Sequence, residues 1–365
     1  MGRRMGEKQH QKHDPGRGTG RDSTKRGRRG SASSEVGKSR RKETTAEHFG
    51  HISTKKELES SPSRSVLRLY TIDEVPSYLC DNASILTGYR MNYTTEMCVR
   101  SVFALHNETF NIWTHLFGFV VFVVVITFFF VGVLVPSLFH HQVSSNGVQS
   151  ASQLSRDSLS EYRWPTLIVF AALAFGALTC MLCSATFHTL IPHECPTVYR
   201  WAHVLDYFGI TFMVVGSFLP MCYMCFACTP SLKWGYMGMI FFFGIGGILG
   251  PCFRSWTDPS YMRFKIAFYV CMVGSGLIPI THIYLILPLN ISTAVVEGLL
   301  LMMVLYGVGV VVYVFQVPEV FYPGRFDIYL SSHQLWHIFV LAAALVHFFN
   351  CAAMYVNMHS LPLNC

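Results

Sequence analysis

Four ionisable side chains lie inside or at the ends of long apolar runs in this 365-residue chain. His188 ends one run, Asp206 lies near the start of the next, and His333 and His337 open the last. Ionisable groups in a membrane are costly, so each one needs a partner or a function. Ser184 shares a helical face with His188, four residues away, and completes the set of candidate functional residues.

The types and spacing of these residues suit a metal ion. His333 and His337 are at positions i and i+4, so a helix stacks their imidazoles on one face. Three histidines are the ligand set of a catalytic zinc site, whose fourth position stays open to water or substrate. Imidazole ligands without thiolates favour zinc, and iron and copper remain alternatives. We therefore predict a zinc site formed by His188, His333 and His337.

Buried histidines also serve simply to hold helices together, and this is the alternative interpretation of the same residues. We assign that structural role to His115, His203, His282 and His347. His347 lies ten residues beyond His337, which is about 80° round a helix and about 15 Å deeper, so it should not join the site.

The composition indicates a membrane protein. Hydrophobic residues make up 51% of the chain, charged residues only 13%, and the mean hydropathy is +0.36. Soluble domains carry about 25% charged residues, so an ordinary soluble enzyme is excluded. Seven apolar runs are each close to the roughly 20 residues that cross a bilayer, and they predict an all-α bundle of seven transmembrane helices over residues 111–357. The runs are 112–135, 166–188, 202–225, 234–253, 266–288, 294–317 and 334–356.

The charge is concentrated before the first run. Residues 1–70 hold 18 of the 28 Lys and Arg and 8 of the 21 Asp and Glu. Residues 1–65 are rich in Gly and Ser as well, and we expect a disordered, basic cytosolic tail. Its basic blocks resemble nucleic-acid sites, but without stacking aromatics they favour a solvated tail that touches anionic lipid, and no nucleic-acid partner is predicted.

Residues 66–110 are expected to form a juxtamembrane segment. A short helix beginning at Thr94 or Thr95 should lie at the membrane interface, because apolar residues follow at helical spacing. Glu108 and Asn111, at i and i+3, are expected to be contacts at the membrane edge.

The distribution of Lys and Arg predicts a cytosolic N-terminus. With that orientation, the three inner loops carry five Lys and Arg and the outer segments carry three, so the basic tail decides the assignment. The C-terminus, including a short tail at 358–365, is then extracellular or lumenal. The same orientation brings His188, Asp206, His333 and His337 into one layer near the inner leaflet, and this agreement is independent of the metal argument.

The twelve cysteines of the chain give no loop-borne disulfide framework. Cys180-x-x-Cys183 and Cys222-x-x-Cys225-x-x-Cys228 resemble metal-binding spacings. They lie in apolar surroundings or near the outer face, so we interpret them as packing residues.

At these motifs the chain resembles the progestin and adipoQ receptor family, which is related to bacterial haemolysin III proteins. The likeness covers about residues 68–356 and rests on four motifs: Asn107-Glu108-Thr109-Phe110-Asn111-Ile112-Trp113-Thr114-His115, Ser184-x3-His188, Asp206-Tyr207-x-Gly209 and His333-x3-His337. The resemblance implies seven helices, a cytosolic N-terminus and zinc held by the three histidines. It also implies that Asp206 reaches the metal through water.

Within the family, the segments 68–71, 81–82 and 88–90 are most similar to a Golgi-resident branch that traps Raf kinase. This likeness implies a Golgi membrane location, with the plasma membrane as the alternative, and a cytosolic signalling kinase as a partner besides membrane lipid.

Three functions remain open from the sequence. The first is a receptor or scaffold that regulates signalling from its cytosolic face. The second is an intramembrane zinc hydrolase of lipid amides such as ceramide, with Asp206 as general base and Ser184 as a donor to the carbonyl oxygen. The third, a transporter, is the weakest because the sequence indicates neither an inverted repeat nor a broken helix.

Overall fold

The computed structural model of the protein describes residues 67–80, 82–139, 152–257, 259–286 and 289–359. The tail predicted for residues 1–65, and most of the tail predicted for 358–365, lie outside these ranges.

Seven helices among the described residues are long and apolar enough to cross a membrane, which confirms the predicted seven-helix architecture. In chain order, the first to the seventh span are Thr109–Phe139, Arg163–Leu190, Pro196–Cys225, Pro230–Cys252, Met262–Ile286, Ser292–Val314 and Ser332–Asn357. Three of these helices continue past the apolar span, as Ser152–Leu190, Leu289–Val314 and Ser332–His359. The described residues contain no β-strand, only two isolated bridges.

The helices extend beyond the apolar runs that predicted them. The second helix begins at Ser152, well before the apolar run predicted to start at residue 166. Pro196 and Pro230 start the third and fourth spans several residues before the predicted starts. Proline suits the first turn of a helix, where no intrahelical donor is needed. Hydropathy detects the apolar part of a helix and misses its polar ends.

The fifth span is not one continuous helix. It consists of Met262–Gly274 and Leu277–Ile286, although the sequence indicated no broken helix. The backbone N–H of Ser275 still donates to the carbonyl of Cys271 at 2.9 Å, and that of Gly276 donates to Val273 at 3.0 Å. Turn hydrogen bonds therefore satisfy the backbone where the helix breaks, as an apolar environment requires.

The second and third spans pack so closely that only small residues fit between them. A Cβ atom on Gly176 would lie 2.4 Å from the carbonyl oxygen of Phe212, and one on Gly216 would lie 2.5 Å from that of Ala172. Small residues of this kind let transmembrane helices approach backbone to backbone. The two helices that carry His188 and Asp206 are therefore held in a fixed register.

The segment 67–108 crosses one end of the bundle, which we call the histidine end because His188 and His333 lie there. It pairs with the loop between the second and third spans, where the N–H of Tyr93 donates to Pro192 at 2.8 Å. It also pairs with the loop between the sixth and seventh spans, where the N–H of Gly324 donates to Ser84 at 2.9 Å. The segment therefore ties together both loops that border the histidine site.

Two buried carboxylates anchor the same segment. Glu319 accepts from the side chain of Asn82 at 2.7 Å and from the N–H of Ser332, the first residue of the seventh helix, at 2.8 Å. Asp327 accepts from the hydroxyl of Thr87 at 2.7 Å. A carboxylate at a helix N-terminus satisfies free N–H groups and interacts favourably with the helix dipole. Glu319 therefore fixes the start of the helix that carries His333 and His337.

The expected juxtamembrane helix is present at Thr95–Ser101. The hydroxyl of Thr94 caps it by accepting from the N–H of Met97 at 3.3 Å. Val99 and Phe103 are well exposed, at 56% and 81%. These exposed apolar side chains suit the predicted position at a membrane interface, which stays a prediction.

The cysteines behave largely as expected. Cys180, Cys183, Cys222 and Cys225 are free thiols, consistent with packing residues. Cys228 is disulfide-bonded, so its assignment to packing was wrong. It follows the third span, at the end of the bundle opposite the histidine end. Its spacing from Cys222 and Cys225 is regular, so the sequence pattern did not distinguish it from them.

Candidate metal centre

The fold brings His188, His333 and His337 together at the histidine end. Their ring centroids are 5.0 Å apart for His188 and His333, 4.8 Å for His188 and His337, and 4.9 Å for His333 and His337. One ring nitrogen from each lies within 4.8 Å of the others. His188 and His337 are buried and His333 is half-buried. The second and seventh spans together therefore form a group that could hold one metal ion.

The hydrogen bonds of the rings leave nitrogens available for a metal. Nδ1 of His188 lies 2.7 Å from the Glu108 carboxylate, while its buried Nε2 has no hydrogen-bond partner. Nδ1 of His337 lies 3.2 Å from the carbonyl oxygen of Asn111 and 3.3 Å from the hydroxyl of Thr114. Metal-binding histidines commonly donate their other ring N–H to a carboxylate or carbonyl in this way. These residues therefore fit a metal bound through Nε2.

Glu108 has a larger role than the expected contact at the membrane edge. It accepts from the amide of Asn111 at 2.6 Å, so the i, i+3 pair is formed, but it also binds His188 in the second span. Burial by itself raises the pKa of Glu108. The hydrogen bond and charge of His188 lower it by more, so the pKa of Glu108 lies below its ordinary value. The carboxylate is therefore ionised at neutral pH and binds the Nδ1 side of the His188 ring, opposite the Nε2 that is available to a metal.

Arg90 also supports the site and was not recognised from the sequence. Its guanidinium donates to the carbonyl of His188 at 2.7 Å and to the hydroxyl of Ser101 at 2.6 Å. Burial lowers the pKa of Arg90 to about 10, so the side chain remains charged at neutral pH. It joins the juxtamembrane segment to the end of the second span. No local spacing could have revealed this contact, because the two partners are 98 residues apart.

Asp206 and Ser184 lie beside the three histidines. The hydroxyl of Ser184 donates to the Asp206 carboxylate, which is close enough to His188 to act on it electrostatically. Asp206 is not part of the three-histidine group. That arrangement suits an acidic residue that reaches a metal through water, and this role stays a prediction.

The four histidines assigned to structural roles lie outside the group, and three of them have partners elsewhere. Nε2 of His347 lies 2.9 Å from the carbonyl oxygen of Ser217, and His282 bonds to the hydroxyl of Tyr236. His203 packs among aromatic rings. His115 differs from these, because its ring lies directly against that of His337.

A cavity lined by both polar and apolar side chains adjoins the site. Glu108, Asn111, His188 and His333 form its inner wall, and residues of the juxtamembrane segment and of the sixth-to-seventh loop form the rest. His188 and His333 therefore border a cavity at the histidine end of the bundle.

Comparisons with known proteins agree with this architecture. A family model described as haemolysin-III related matches residues 103–348. The chain is 34% identical over 292 residues to the adiponectin receptor protein of Drosophila melanogaster, an alignment that covers 78% of the chain and 60% of the relative. It is 34% identical over 278 residues to heptahelical transmembrane protein 1 of Arabidopsis thaliana, covering 75% of the chain and 77% of that protein.

The chain is also similar to progestin and adipoQ receptor family member 3 of Mus musculus. The two are 28% identical over 302 residues, which cover 81% of the chain and 89% of the mouse protein. The length shared with relatives varies, and the chain spans about three-fifths of the Drosophila protein.

Proposed function

The chain belongs to the haemolysin-III-related family, which includes the progestin and adipoQ receptors, and on that premise we propose that it is a zinc-binding receptor or scaffold. Its histidine end would face the cytosol and regulate signalling there. Zinc would hold the second and seventh spans together at the surface that meets cytosolic partners.

The convergence of three imidazoles carries this proposal. His188, His333 and His337 present nitrogens within 4.8 Å of one another, and the buried Nε2 of His188 has no protein partner. An all-imidazole donor set favours zinc. Asp206 would complete the site through water.

The orientation rests on charge and on redox chemistry. Twenty Lys and Arg precede the first span, 18 of them within residues 1–70, and basic segments favour the cytosolic side. The disulfide-bonded Cys228 lies at the opposite end of the bundle, and disulfides persist on the lumenal or extracellular side. The resemblance of segments 68–71, 81–82 and 88–90 to the Golgi-resident, Raf-trapping branch of the family supports a Golgi membrane location and the anchoring of Raf kinase, with the plasma membrane as the alternative.

Metal analysis of the purified protein tests the proposal. We expect about one zinc per chain in the wild type and loss of the metal in the His333→Ala/His337→Ala variant, because one remaining imidazole cannot form a stable site. The matched control is His347→Ala, which removes a buried histidine of the same helix outside the group. Full zinc occupancy in the double variant would refute the assignment.

A zinc hydrolase of lipid amides is a second candidate, favoured by the contact of Ser184 with Asp206 beside His188. An apolar pocket bordered by residues of the third, fifth, sixth and seventh spans would receive the hydrocarbon chain of such a substrate. Bound zinc would supply Lewis acidity. Asp206 would take a proton from water, and Ser184 would turn its hydroxyl to the amide carbonyl oxygen.

The Asp206→Asn variant distinguishes the two candidates. Asn keeps the shape of the side chain but cannot take a proton at neutral pH. If Asp206 is the base, the variant should retain zinc and lose turnover of lipid amides in matched micelles. Equal turnover in both proteins would eliminate this mechanism, and no turnover in either across several lipid amides would favour the receptor or scaffold.

A further inference from the structure

The rings of His115 and His337 are stacked. Their centroids are 3.8 Å apart and their planes differ by 9°. Each side chain is only 3% exposed. His115 belongs to the first span, which contributes no member of the three-histidine group, whereas His337 belongs to the seventh.

Neither ring nitrogen of His115 makes a hydrogen bond of normal geometry in the described part of the chain, although the backbone of His337 lies close enough to act on the ring. Buried polar atoms without partners are unfavourable, and a histidine retained only for helix packing would normally be hydrogen-bonded. The face of the His115 ring packs against the face of the His337 ring. The contact of His115 with the histidine group is therefore made by its aromatic face.

The stack completes the support that the first span gives to His337. The carbonyl of Asn111 and the hydroxyl of Thr114 lie against Nδ1 at one edge of the ring, and His115 covers one face. These three residues lie within about one turn of the same helix. An edge contact and a face contact together restrict rotation of the imidazole, and the orientation of Nε2 depends on that rotation.

His115 is unsuited to bind the same ion directly. The nitrogen lone pairs of two stacked imidazoles lie in two parallel planes that do not meet, whereas the ligands of a tetrahedrally coordinated ion must point at one centre. The nitrogens of His115 accordingly lie outside the group whose atoms approach within 4.8 Å.

We propose that His115 is a positioning residue of the metal centre, which holds the plane of His337 by ring stacking so that Nε2 is directed at the ion. This inference rests on the proposed metal site, to which it adds a residue of the first span.

Zinc affinity, measured by competition with a chelator, tests the stack. His115→Asn keeps a small polar side chain without a ring, and His115→Phe keeps a ring without nitrogens. We expect the Asn variant to bind zinc about 10- to 100-fold more weakly, as is typical when groups supporting a ligand are removed. The Phe variant should bind within about threefold of wild type, since the stacked face is preserved. His347→Asn is the matched control and should bind like wild type.

Unchanged affinity in His115→Asn would overturn the proposal. Equal weakening in the Asn and Phe variants would also overturn it, because the nitrogens would then be the important groups. A cobalt-substituted sample adds a spectroscopic measurement, since a tilted His337 should alter the visible d–d bands of the Asn variant and leave those of the control unchanged.

A double-mutant cycle on metal-free protein separates this inference from the zinc assignment. Melting temperatures of His115→Asn, His337→Asn and the double variant should show non-additive losses, because the two rings are in contact. Additive losses would overturn the stack itself. Wild-type protein that binds no zinc but shows non-additive losses would overturn the metal assignment, and with it the positioning role, while leaving the ring contact intact.

Discussion

Glu108, which immediately precedes the first span, shows how one residue controls the chemistry of another helix. Its carboxylate lies 2.7 Å from Nδ1 of His188, so it fixes the ring and leaves Nε2 free to bind a metal. A negative charge behind the imidazole also makes the ligand more basic. His106 holds Glu108 in turn, because Nδ1 of His106 accepts from the backbone N–H of Glu108 at 3.1 Å. Burial lowers the pKa of His106 to about 3, which keeps that ring neutral and able to accept.

The change of Glu108 to Gln is therefore expected to weaken zinc binding about 10- to 100-fold, the usual effect of losing a carboxylate that supports a histidine ligand. The amide oxygen can still accept from His188, but the charge is lost. Chelator competition measures the affinity. The matched control is Glu96→Gln, which removes an exposed carboxylate paired with Arg100 at 2.6 Å. If both variants bind zinc as wild type does, Glu108 has no influence on the site.

His333 and Glu108 differ in how far along the chain their partners lie, and this distance decides whether sequence spacing can predict the contact. The i, i+4 pair of His333 and His337 is encoded locally, so the sequence alone suggests a shared ligand face. The partner of Glu108 lies 80 residues away, and that of Arg90 lies 98 residues away. Local spacing cannot identify such partners. The stacking of His115 escaped prediction for the same reason, since the ring it meets belongs to the last span.

At the scale of helices, the apolar runs were sufficient to predict how many spans there are. A stretch of about 20 apolar residues has few alternatives to a transmembrane helix, so all seven are found. The interior of the fifth span was not predictable in this way. Its break at Ser275 and Gly276 lies within a run that remains apolar throughout, and there the N–H of Gly276 donates three residues back instead of four. Hydropathy measures burial in lipid, which is equally favourable for both backbone arrangements.

The start of the seventh helix shows a second limit of local patterns. Glu319 caps Ser332 from 13 residues earlier in the chain, and the same carboxylate accepts from Asn82 of the juxtamembrane segment. A local capping pattern would place the partner within about three residues. The position of His333 therefore depends on a loop and on a distant segment, neither of which an i, i+4 pattern describes.

At the scale of the whole molecule, the basic residues and the histidine site are assigned to one side of the membrane, and the disulfide-bonded cysteine is assigned to the other. Residues 1–70 carry most of the Lys and Arg, the histidine end lies where the first span begins, and the disulfide-bonded Cys228 lies at the other end of the bundle. These features favour one orientation by independent physical effects. Basic residues are retained on the cytosolic side, and disulfides are stable on the oxidising side.

Selective permeabilisation tests this orientation. With a tag at residue 1, antibody should bind only after the plasma membrane is opened, and binding should not require opening of the internal membranes. A tag after residue 365 should be reached on intact cells if the protein is at the plasma membrane, or only after the Golgi lumen is opened if it resides there. Both results follow from the seven spans found in the described part of the chain, since an odd number of crossings places the two ends on opposite sides. Antibody binding to the residue 1 tag from the outer or lumenal side would reverse the bundle. The histidine site would then lie away from the cytosol, and a role in organising cytosolic signalling proteins at that face would be untenable.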